Sequence, residues 1–229
     1  MSEERFQLAG VLAAARAQPE KSPGGRAIMF MAARRGEGVT TVAHAAALAA
    51  AASETVYAID LDLHRNALAR MFAEENPPLG PRIDARLNGV AFHQIRGADG
   101  QPWIAFKPAF NFHRVGRSRI YASVFDAHEL PQGGRISISG EPHYWNAARA
   151  GGATVIVDAP ALERSRVGLK AAPHMDGVVL VVAGDDGAAP AAMSAKAEIL
   201  AAGGALLGIV YTQASAPVMA MHRFLPQAV

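Results

Sequence analysis

Residues 32–51, AARRGEGVTTVAHAAALAAA, carry the residue types of a phosphate-binding loop that opens a helix. Glycines in such a loop let backbone N–H groups turn toward phosphate oxygens, and the positive end of the helix dipole attracts the same anion. The usual lysine contacts the β- and γ-phosphates, and the hydroxyl after it helps to hold Mg²⁺. Here Ala33 takes the first glycine position, Thr40 supplies the hydroxyl, and Val39 stands where the lysine belongs. The segment therefore predicts a phosphate-binding loop without its main charge.

Three carboxylates that follow apolar runs are the other candidates for chemistry. Asp60 and Asp62 come at the end of TVYAIDLD (55–62), and Asp158 comes near the end of ATVIVDAP (153–160). A plain structural interpretation is open as well, because aspartates at strand ends often cap the turns that follow them. The eight histidines show no repeated ligand spacing, so we expect no histidine metal site.

The elements that must position these residues are five short apolar runs, several of them separated by helix-forming segments. We predict helices over 3–17, over 40–52 and between the last two runs, with the N-terminal helix and its linker filling residues 1–25. Continuous apolar strands alternating with helices predict an α/β fold, with a mostly parallel central sheet and helices on both faces. The predicted strands are 26–32, 55–62, 153–160, 176–184 and 204–212.

Residues 76–140 break this rhythm, because they hold prolines, glycines, most of the aromatic residues and much of the arginine. We predict that they form an irregular, helix-poor insertion on one side of the same domain. The whole chain, 1–229, is then expected to be a single domain. Its length is sufficient for one α/β domain with a well-buried core.

Composition narrows the class of protein. Of the 229 residues, 51% are hydrophobic and 18% are charged, which favours a folded globular chain over a disordered one. A net charge of +2 is too small to indicate a nucleic-acid partner by itself. Without cysteine, the chain forms neither disulfides nor thiolate metal sites. The start, MSEERFQLAG, lacks the pattern of a signal peptide, and no apolar run reaches about 18 residues, so we expect a cytoplasmic location.

The order of these segments resembles that of the MinD/ParA-type P-loop ATPases, and most of all the bacterial tyrosine autokinases that work with polysaccharide co-polymerases. That family carries GEGKTT, IDADLRRP, VIIDTPP, aDgvilVv and lGvVlN. The matching segments here are GEGVTT, IDLDLHRN, VIVDAP, MDGVVLVVAG and LLGIVYT. The resemblance covers about residues 26–72 and 145–213 and leaves the middle of the chain unmatched.

The resemblance implies ATP or ADP and Mg²⁺ as cofactors, although Val39 argues against firm nucleotide binding. The implied nucleotide-binding positions are Arg34, Gly36, Glu37, Gly38, Val39, Thr40 and Thr41. The implied magnesium ligands are Thr40, Asp60 and Asp158. The implied catalytic carboxylates are Asp60, Asp62 and Asp158. His64 and Arg65 match the basic pair that follows the second strand in the family.

Departures from the family pattern predict a changed function. Val39 removes the lysine charge, the end HRFLPQAV lacks the tyrosine-rich tail, and the N-terminal helix lacks the spaced glutamate and arginines that join subunits into rings. We therefore expect a non-kinase, ATPase-deficient regulatory partner in bacterial exopolysaccharide or capsule-type synthesis and export. Its expected partner is the cytoplasmic part of a membrane co-polymerase, which would recruit it to the inner membrane, and a homodimer is the other expected assembly.

Alternatives remain open at the level of sequence. The chain is an active ATPase if Arg34, which lies where some relatives carry an additional lysine, or a partner subunit supplies the missing charge. It is a nucleic-acid-binding, partition-like protein if FKPAFNFHRVGRSRIY (106–121) stacks on bases and contacts phosphates, although we do not expect a nucleic-acid partner. The same segment also suits packing over the sheet or a contact with a protein. In the last case, interface residues are expected at Phe110, Phe112, Arg117 and Tyr121.

Overall fold

A computed structural model of the chain describes residues 2–19, 24–63, 65–75, 79–103, 107–184 and 187–212. Its helices are α1 (Ser2–Ala17), α2 (Val39–Ala50), α3 (Ala67–Glu75), α4 (His143–Ala150), α5 (Val167–Ala171) and α6 (Ala188–Ala201). Its strands are β1 (Ala27–Ala32), β2 (Val56–Asp60), β3 (Leu79–Asp84), β4 (His93–Arg96), β5 (Phe110–Val115), β6 (Ile120–Phe125), β7 (Arg135–Ile138), β8 (Thr154–Asp158), β9 (Gly177–Ala183) and β10 (Leu206–Thr212). No helix within these ranges has both the length and the apolar character that crossing a bilayer requires.

Eight of the strands in the described ranges form one sheet, in the order β10-β9-β1-β8-β2-β6-β5-β3. The strands from β10 to β6 are all parallel, whereas β5 and β3 are added at one edge by antiparallel pairing. The chain leaves β1 in the middle of the sheet and moves to β2, with β8 inserted between the two. In open α/β sheets, ligands bind at the carboxyl ends of strands where the order switches in this way. The predicted α/β class with a mostly parallel sheet is confirmed.

Both faces of the sheet are buried, as the alternation along β1 shows. Ala27, Met29 and Met31 pack into a core that includes residues of α4, α5 and α6. Ile28 and Phe30 point the other way, into a core that includes residues of α1, α2 and α3. Successive side chains of a strand alternate between faces, so a strand with helices on both sides is apolar at every position. This burial explains why the predicted strands are continuous apolar runs.

The segment 76–140, predicted to be irregular, instead contains five strands in its described part. Strand β6 continues the parallel sheet beside β2, and β5 and β3 extend it further. Strands β4 and β7 pair as a separate antiparallel ribbon, in which Ile95 lies opposite Ile136. Both isoleucines pack against the core on the α4 side. These strands escaped prediction because short runs broken by glycine and proline carry little periodicity.

Phe110 and Phe112 belong to the core, so the interface predicted at these two residues is wrong. Each of the two is only 2% exposed. Phe112 stacks on Tyr57 with the ring centroids 5.0 Å apart, and the partly buried Tyr121 has its ring 5.9 Å from that of Tyr57. Arg117 is exposed in the turn between β5 and β6. Aromatic residues at alternate strand positions share one face, and here that face is covered.

Candidate functional site

The predicted phosphate-binding loop lies between β1 and α2 and is shaped by two glycines. Gly36 and Gly38 have φ angles of 77° and 85°, in the left-handed region that residues with a Cβ rarely adopt. Gly38 also precedes α2, and no side chain of the described residues caps that helix at this position. A Cβ added at Gly36 would meet nothing within 4 Å. The loop therefore presents open backbone and a helix N-terminus, the arrangement that binds anions.

Glu37 ties the loop to the strands beside it. Its carboxylate is buried and accepts hydrogen bonds from the backbone N–H groups of Arg34 at 3.0 Å and Ala183 at 3.4 Å. Its carbonyl oxygen accepts a hydrogen bond from the hydroxyl of Thr212 at 2.8 Å. The Arg34 guanidinium donates to the same carboxylate, with Nη2 3.0 Å from Oε1. A buried carboxylate is stable only when paired, so Glu37 engages the arginine proposed to replace the lysine.

Val39 occupies the lysine position as the first residue of α2. It lines the cleft over the loop and also packs against the core formed with α1, α2 and α3. A branched apolar side chain offers neither a charge nor a hydrogen-bond donor, so a phosphate can receive only the backbone N–H of this residue. The loop combines two left-handed glycines with an uncharged residue at the position predicted for a lysine.

Asp60 and Asp158 end neighbouring strands and lie opposite each other in the register of β2 and β8. Both side chains are buried. Asp60 accepts hydrogen bonds from the backbone N–H groups of Asp62 at 2.7 Å and of Leu68, at the start of α3, at 3.2 Å. Asp158 accepts a hydrogen bond from the hydroxyl of Thr40. The interpretation of Asp60 as a turn cap therefore describes part of its role, but it does not account for a second buried carboxylate beside it.

Burial is the main cause of the raised pKa at both carboxyl groups, and a nearby carboxylate adds to it, Asp62 in the case of Asp60 and Asp60 in the case of Asp158. Burial raises the pKa of Asp60 to about 6, against the opposing effect of the N–H groups that donate to it. Burial also raises the pKa of Asp158 well above its ordinary value; the charge of Asp60 raises it further, and the hydrogen bond from Thr40 opposes the rise. Two adjacent buried carboxyl groups favour a bound proton or a cation between them.

Asp62 lies in the cleft but is already ion-paired. Arg164 donates to it with both terminal nitrogens: Nη2 lies 2.9 Å from Oδ1, and Nη1 contacts Oδ2. Arg65 approaches the same carboxylate, with its Nε 3.8 Å from Oδ2. Two-pronged arginine–carboxylate contacts fix geometry as well as charge. The pair thus joins the loop after β2 to the loop after β8.

A cleft of about 270 Å³ lies between the phosphate-binding loop and these two loops. The predicted residues of the phosphate-binding loop line it together with Asp62 and Asp158, whereas Asp60 is not part of the lining. Each of the four arginines that line it in the described part of the chain has a carboxylate partner. The pairs are Arg34–Glu37, Arg35–Glu163, Arg65–Asp62 and Arg164–Asp62. Because Arg65 and Arg164 share Asp62, these four guanidinium groups are paired with three carboxylates.

Sequence reasoning missed two residues that shape this cleft, Arg164 and Glu163. The backbone N–H of Arg35 donates to the Glu163 carboxylate at 2.7 Å, which attaches the phosphate-binding loop to the loop after β8. A signal was available, because the charged run ERSR (163–166) follows VIVDAPAL directly. His64, the first residue of the predicted basic pair, lies outside the described residues.

Three solved structures show what this fold is similar to. The VpsO kinase domain matches with a TM-score of 0.56 at 16% identity, over 93% of this chain and 97% of that one. An ATP complex of a variant McdA from Cyanothece gives a TM-score of 0.56 at 15% identity, over 91% of this chain and 82% of that one. The BceF tyrosine kinase domain gives 0.51 at 16% identity, over 91% and 73%. This chain has the fold of P-loop tyrosine kinase domains and MinD/ParA-type ATPases. No protein-family model and no curated protein matches it.

The P-loop ATPase fold implies a Mg²⁺-bound nucleotide, and the residues present fit the metal better than the phosphates. Thr40, Asp60 and Asp158 offer the oxygen atoms that Mg²⁺ prefers, and the raised pKa values of the two carboxyl groups favour a cation. The described residues contain no group of three or more His, Asp or Glu side chains placed to hold a metal. Water or phosphate oxygens would therefore complete the shell, and Val39 adds no charge to hold the phosphates.

Proposed function

We propose that this protein is an ATPase-deficient, non-kinase relative of the polysaccharide-associated tyrosine autokinases. In this proposal it acts as a regulatory partner in bacterial exopolysaccharide or capsule-type synthesis and export, by binding the cytoplasmic part of a membrane co-polymerase. The observation that carries the proposal is the charge distribution in the phosphate cleft. Val39 brings no cation there, and the arginines that line the cleft are ion-paired with carboxylates.

The missing charge matters because phosphoryl transfer is catalysed mainly by positioning and by electrostatic stabilisation of the transferring group. Removing one preorganised group that stabilises transition-state charge commonly lowers the rate by about 10²–10³-fold. The glycine geometry of the loop and the acidic strand ends are retained. A weakly bound nucleotide is therefore compatible with the site, whereas rapid turnover is not.

The alternative of an active ATPase that uses Arg34 receives little support from the loop. The Arg34 guanidinium donates to Glu37 through Nε at 3.2 Å and through Nη2 at 3.0 Å. Moving it to a phosphate would take a charged partner away from the buried Glu37 carboxylate, which carries a penalty in free energy. A lysine projecting from position 39 would carry no such penalty.

The nucleic-acid alternative loses its aromatic platform. Binding of single strands needs exposed rings on which bases can stack, but Phe110 and Phe112 are buried in the sheet. Arg114 is exposed, and its guanidinium donates to the carbonyl oxygens of Arg117 and Ser118, within its own hairpin. Within the described residues of this segment no aromatic ring is exposed beside these arginines, so the hairpin suits an acidic protein surface at least as well as a phosphate backbone.

The catalytic half of the proposal is tested by ATP hydrolysis with Mg²⁺. We expect the wild type to hydrolyse ATP at background rate. Val39→Lys should bind Mg²⁺-ATP measurably more tightly in calorimetry, because the loop geometry for phosphate is retained. Val39→Met, which adds length without charge, is the matched control and should behave as the wild type. Wild-type turnover on the order of 1 per second or faster would overturn the assignment as ATPase-deficient.

The partner half is tested separately with the cytoplasmic segment of a polysaccharide co-polymerase from the same genome. We expect the wild type to bind this segment with a Kd on the order of 1 µM. Val39→Lys should bind it equally well without nucleotide, because the proposed contact depends on surfaces outside the loop. A cytoplasmic segment from an unrelated membrane protein serves as the control. Failure to bind, both with and without Mg²⁺-ATP, would contradict this half alone.

A further inference from the structure

A second cavity, of about 500 Å³, lies beside the β4–β7 ribbon, and we call it the ribbon cavity. Its volume is in the range of sites for small ligands. It shares no lining residue with the phosphate cleft within the described chain. The side chains that carry the argument are Arg86, Phe92, His93, Arg96, Trp103 and Phe110.

The aromatic part of the ribbon cavity combines two buried rings with one exposed ring. Phe92 and Phe110 are 1% and 2% exposed and meet edge to face, with ring centroids 4.6 Å apart. Trp103 is 46% exposed, although its backbone N–H is fixed to the carbonyl of Ile95 in β4 at 2.8 Å. A half-exposed indole held at the edge of a cavity with buried rings is suited to contact a flat apolar ligand.

His93 supplies a polar group that lacks a protein partner. Its Nδ1 atom is buried, and no atom of the described residues forms a hydrogen bond with it. Burial lowers the pKa of His93 to about 4, so the ring is neutral at neutral pH. Buried polar atoms are rarely left without a hydrogen bond, and each exception needs an explanation. A ligand in the ribbon cavity would provide one, through a donor or an acceptor according to the tautomer.

The charged groups at the ribbon cavity leave one positive charge uncompensated. The guanidinium of Arg86 is ion-paired with the carboxylate of Asp84. Arg96 donates from Nη1 to the carbonyl of Gly100 at 3.0 Å, a neutral acceptor that leaves its charge in place. Because Asp84 balances the charge of Arg86, the charge of Arg96 is available to pair with a ligand that carries a single negative charge.

We propose that the ribbon cavity binds a small planar aromatic carboxylate. Its ring packs against Trp103 and the Phe92–Phe110 pair, and its carboxylate lies at Arg96. His93 forms the remaining hydrogen bond. The site goes beyond the function proposed for the phosphate cleft and does not depend on it, because the two cavities are lined by different residues.

The probe for this site is 2-naphthoate, with the uncharged 2-naphthalenemethanol as the matched ligand control. We expect one molecule of 2-naphthoate to bind per chain in calorimetry, with a Kd below about 100 µM and at least about tenfold tighter than the alcohol. The chain has two tryptophans, and Trp145 is fully buried. The ligand should therefore change the emission of Trp103, and the change should be absent in Trp103→Phe.

Two substitutions on exposed positions separate the ring contact from the charge contact. Trp103→Ala and Arg96→Gln should each weaken 2-naphthoate binding at least about tenfold, and Arg96→Gln should leave the affinity for the alcohol unchanged. Arg114→Gln, on the exposed hairpin, should leave both affinities unchanged. If Arg96→Gln fails to fold, Arg96→Met, which also removes the charge, replaces it with the same expected loss. No binding at about 1 mM probe, equal affinities for the two ligands, or full affinity in both site variants would overturn the proposal.

Discussion

Carboxylates are buried both at the amino ends of the strands of the central sheet, called here the amino edge, and at their carboxyl ends, called the carboxyl edge. The two edges compensate the negative charge in opposite ways. At the amino end of β9, Asp176 faces Arg149, with Nε 2.8 Å from Oδ2, and both side chains are fully buried. The same oxygen accepts the backbone N–H of Ala27, at the start of β1, at 2.7 Å. At the carboxyl ends of β2 and β8, Asp60 and Asp158 lie side by side as like charges.

The difference separates a charge that the fold compensates from a pair of carboxyl groups that it leaves uncompensated. Asp176 is neutralised by a cation that the chain itself supplies, so its charge needs no partner from outside the protein. Asp60 and Asp158 have raised pKa values and need a proton or a cation from outside. Perturbed carboxyl groups of this kind concentrate at functional sites because the fold bears the cost of repulsion there. Substitutions of the buried charged residues at each edge test this difference directly.

The largest effect is expected from Asp176→Asn. This substitution leaves the guanidinium of Arg149 buried without its counter-ion, and breaking a buried pair from one side costs about 3–5 kcal/mol. Chemical denaturation should show that loss in the free energy of unfolding. Arg149→Met should be similarly destabilised, because it leaves the aspartate unpaired. A loss below about 1 kcal/mol in both variants would mean that this edge does not depend on the ion pair.

The next effect is a pH dependence that belongs to the carboxyl edge. The pKa of Asp60 is raised from 3.8 to about 6 by folding, so the folded state holds a proton that the unfolded chain has released in this interval. The stabilisation is fully present below pH 3.8 and is lost as the pH rises through about 6.

This pH effect is measured by urea denaturation against Asp60→Asn, which removes the titrating carboxyl group and keeps one acceptor oxygen for the N–H groups of Asp62 and Leu68. Over that interval, the wild type should lose about 2–3 kcal/mol relative to the variant. Parallel pH profiles for the two proteins would show that folding does not raise the pKa of Asp60.

A smaller effect is expected from Mg²⁺ alone. A cation that binds the folded protein stabilises it by about 1.4 kcal/mol at ten times its Kd, and it relieves the repulsion between Asp60 and Asp158. Thermal unfolding of the wild type should therefore shift upward with Mg²⁺, whereas Asp158→Asn should show little shift. Asp176→Asn, with an intact carboxyl edge, should keep the Mg²⁺ response. If Mg²⁺ shifts the unfolding temperature equally in the wild type and in Asp158→Asn, the metal does not bind at the carboxyl edge.

The smallest effect is expected from Glu163→Gln. The Arg35–Glu163 pair is exposed, with 3.7 Å between Nε and Oε1, and exposed ion pairs contribute about 0–1 kcal/mol. The amide keeps an oxygen that can accept the hydrogen bond from the Arg35 backbone. Denaturation should therefore show a change below about 0.5 kcal/mol, which makes this variant the control for Asp176→Asn. A loss above about 2 kcal/mol would show that the exposed pair behaves as a buried one.

Much of the central sheet was predictable because its strands are apolar on both faces. All five predicted strands are present and lie side by side as β10, β9, β1, β8 and β2. The three strands beyond β2 were not predicted, since β3 is largely exposed and β5 begins directly after a segment rich in glycine and proline. The buried Phe112 shows the consequence: without the strand, its aromatic side chain resembled an interface residue.

The sequence by itself determined the fold class, the glycine loop, the loss of the lysine at Val39 and the order of the acidic strand ends. These features are local, because each depends on residue type and on spacing within one strand or turn. Tertiary structure alone decided which charges meet. Arg164 and Asp62 are 102 positions apart in the chain, and Asp60 and Asp158 become neighbours only through the register of β2 and β8. Ion pairing acts over a few ångströms, and no spacing along the chain specifies distances of that kind between separate strands.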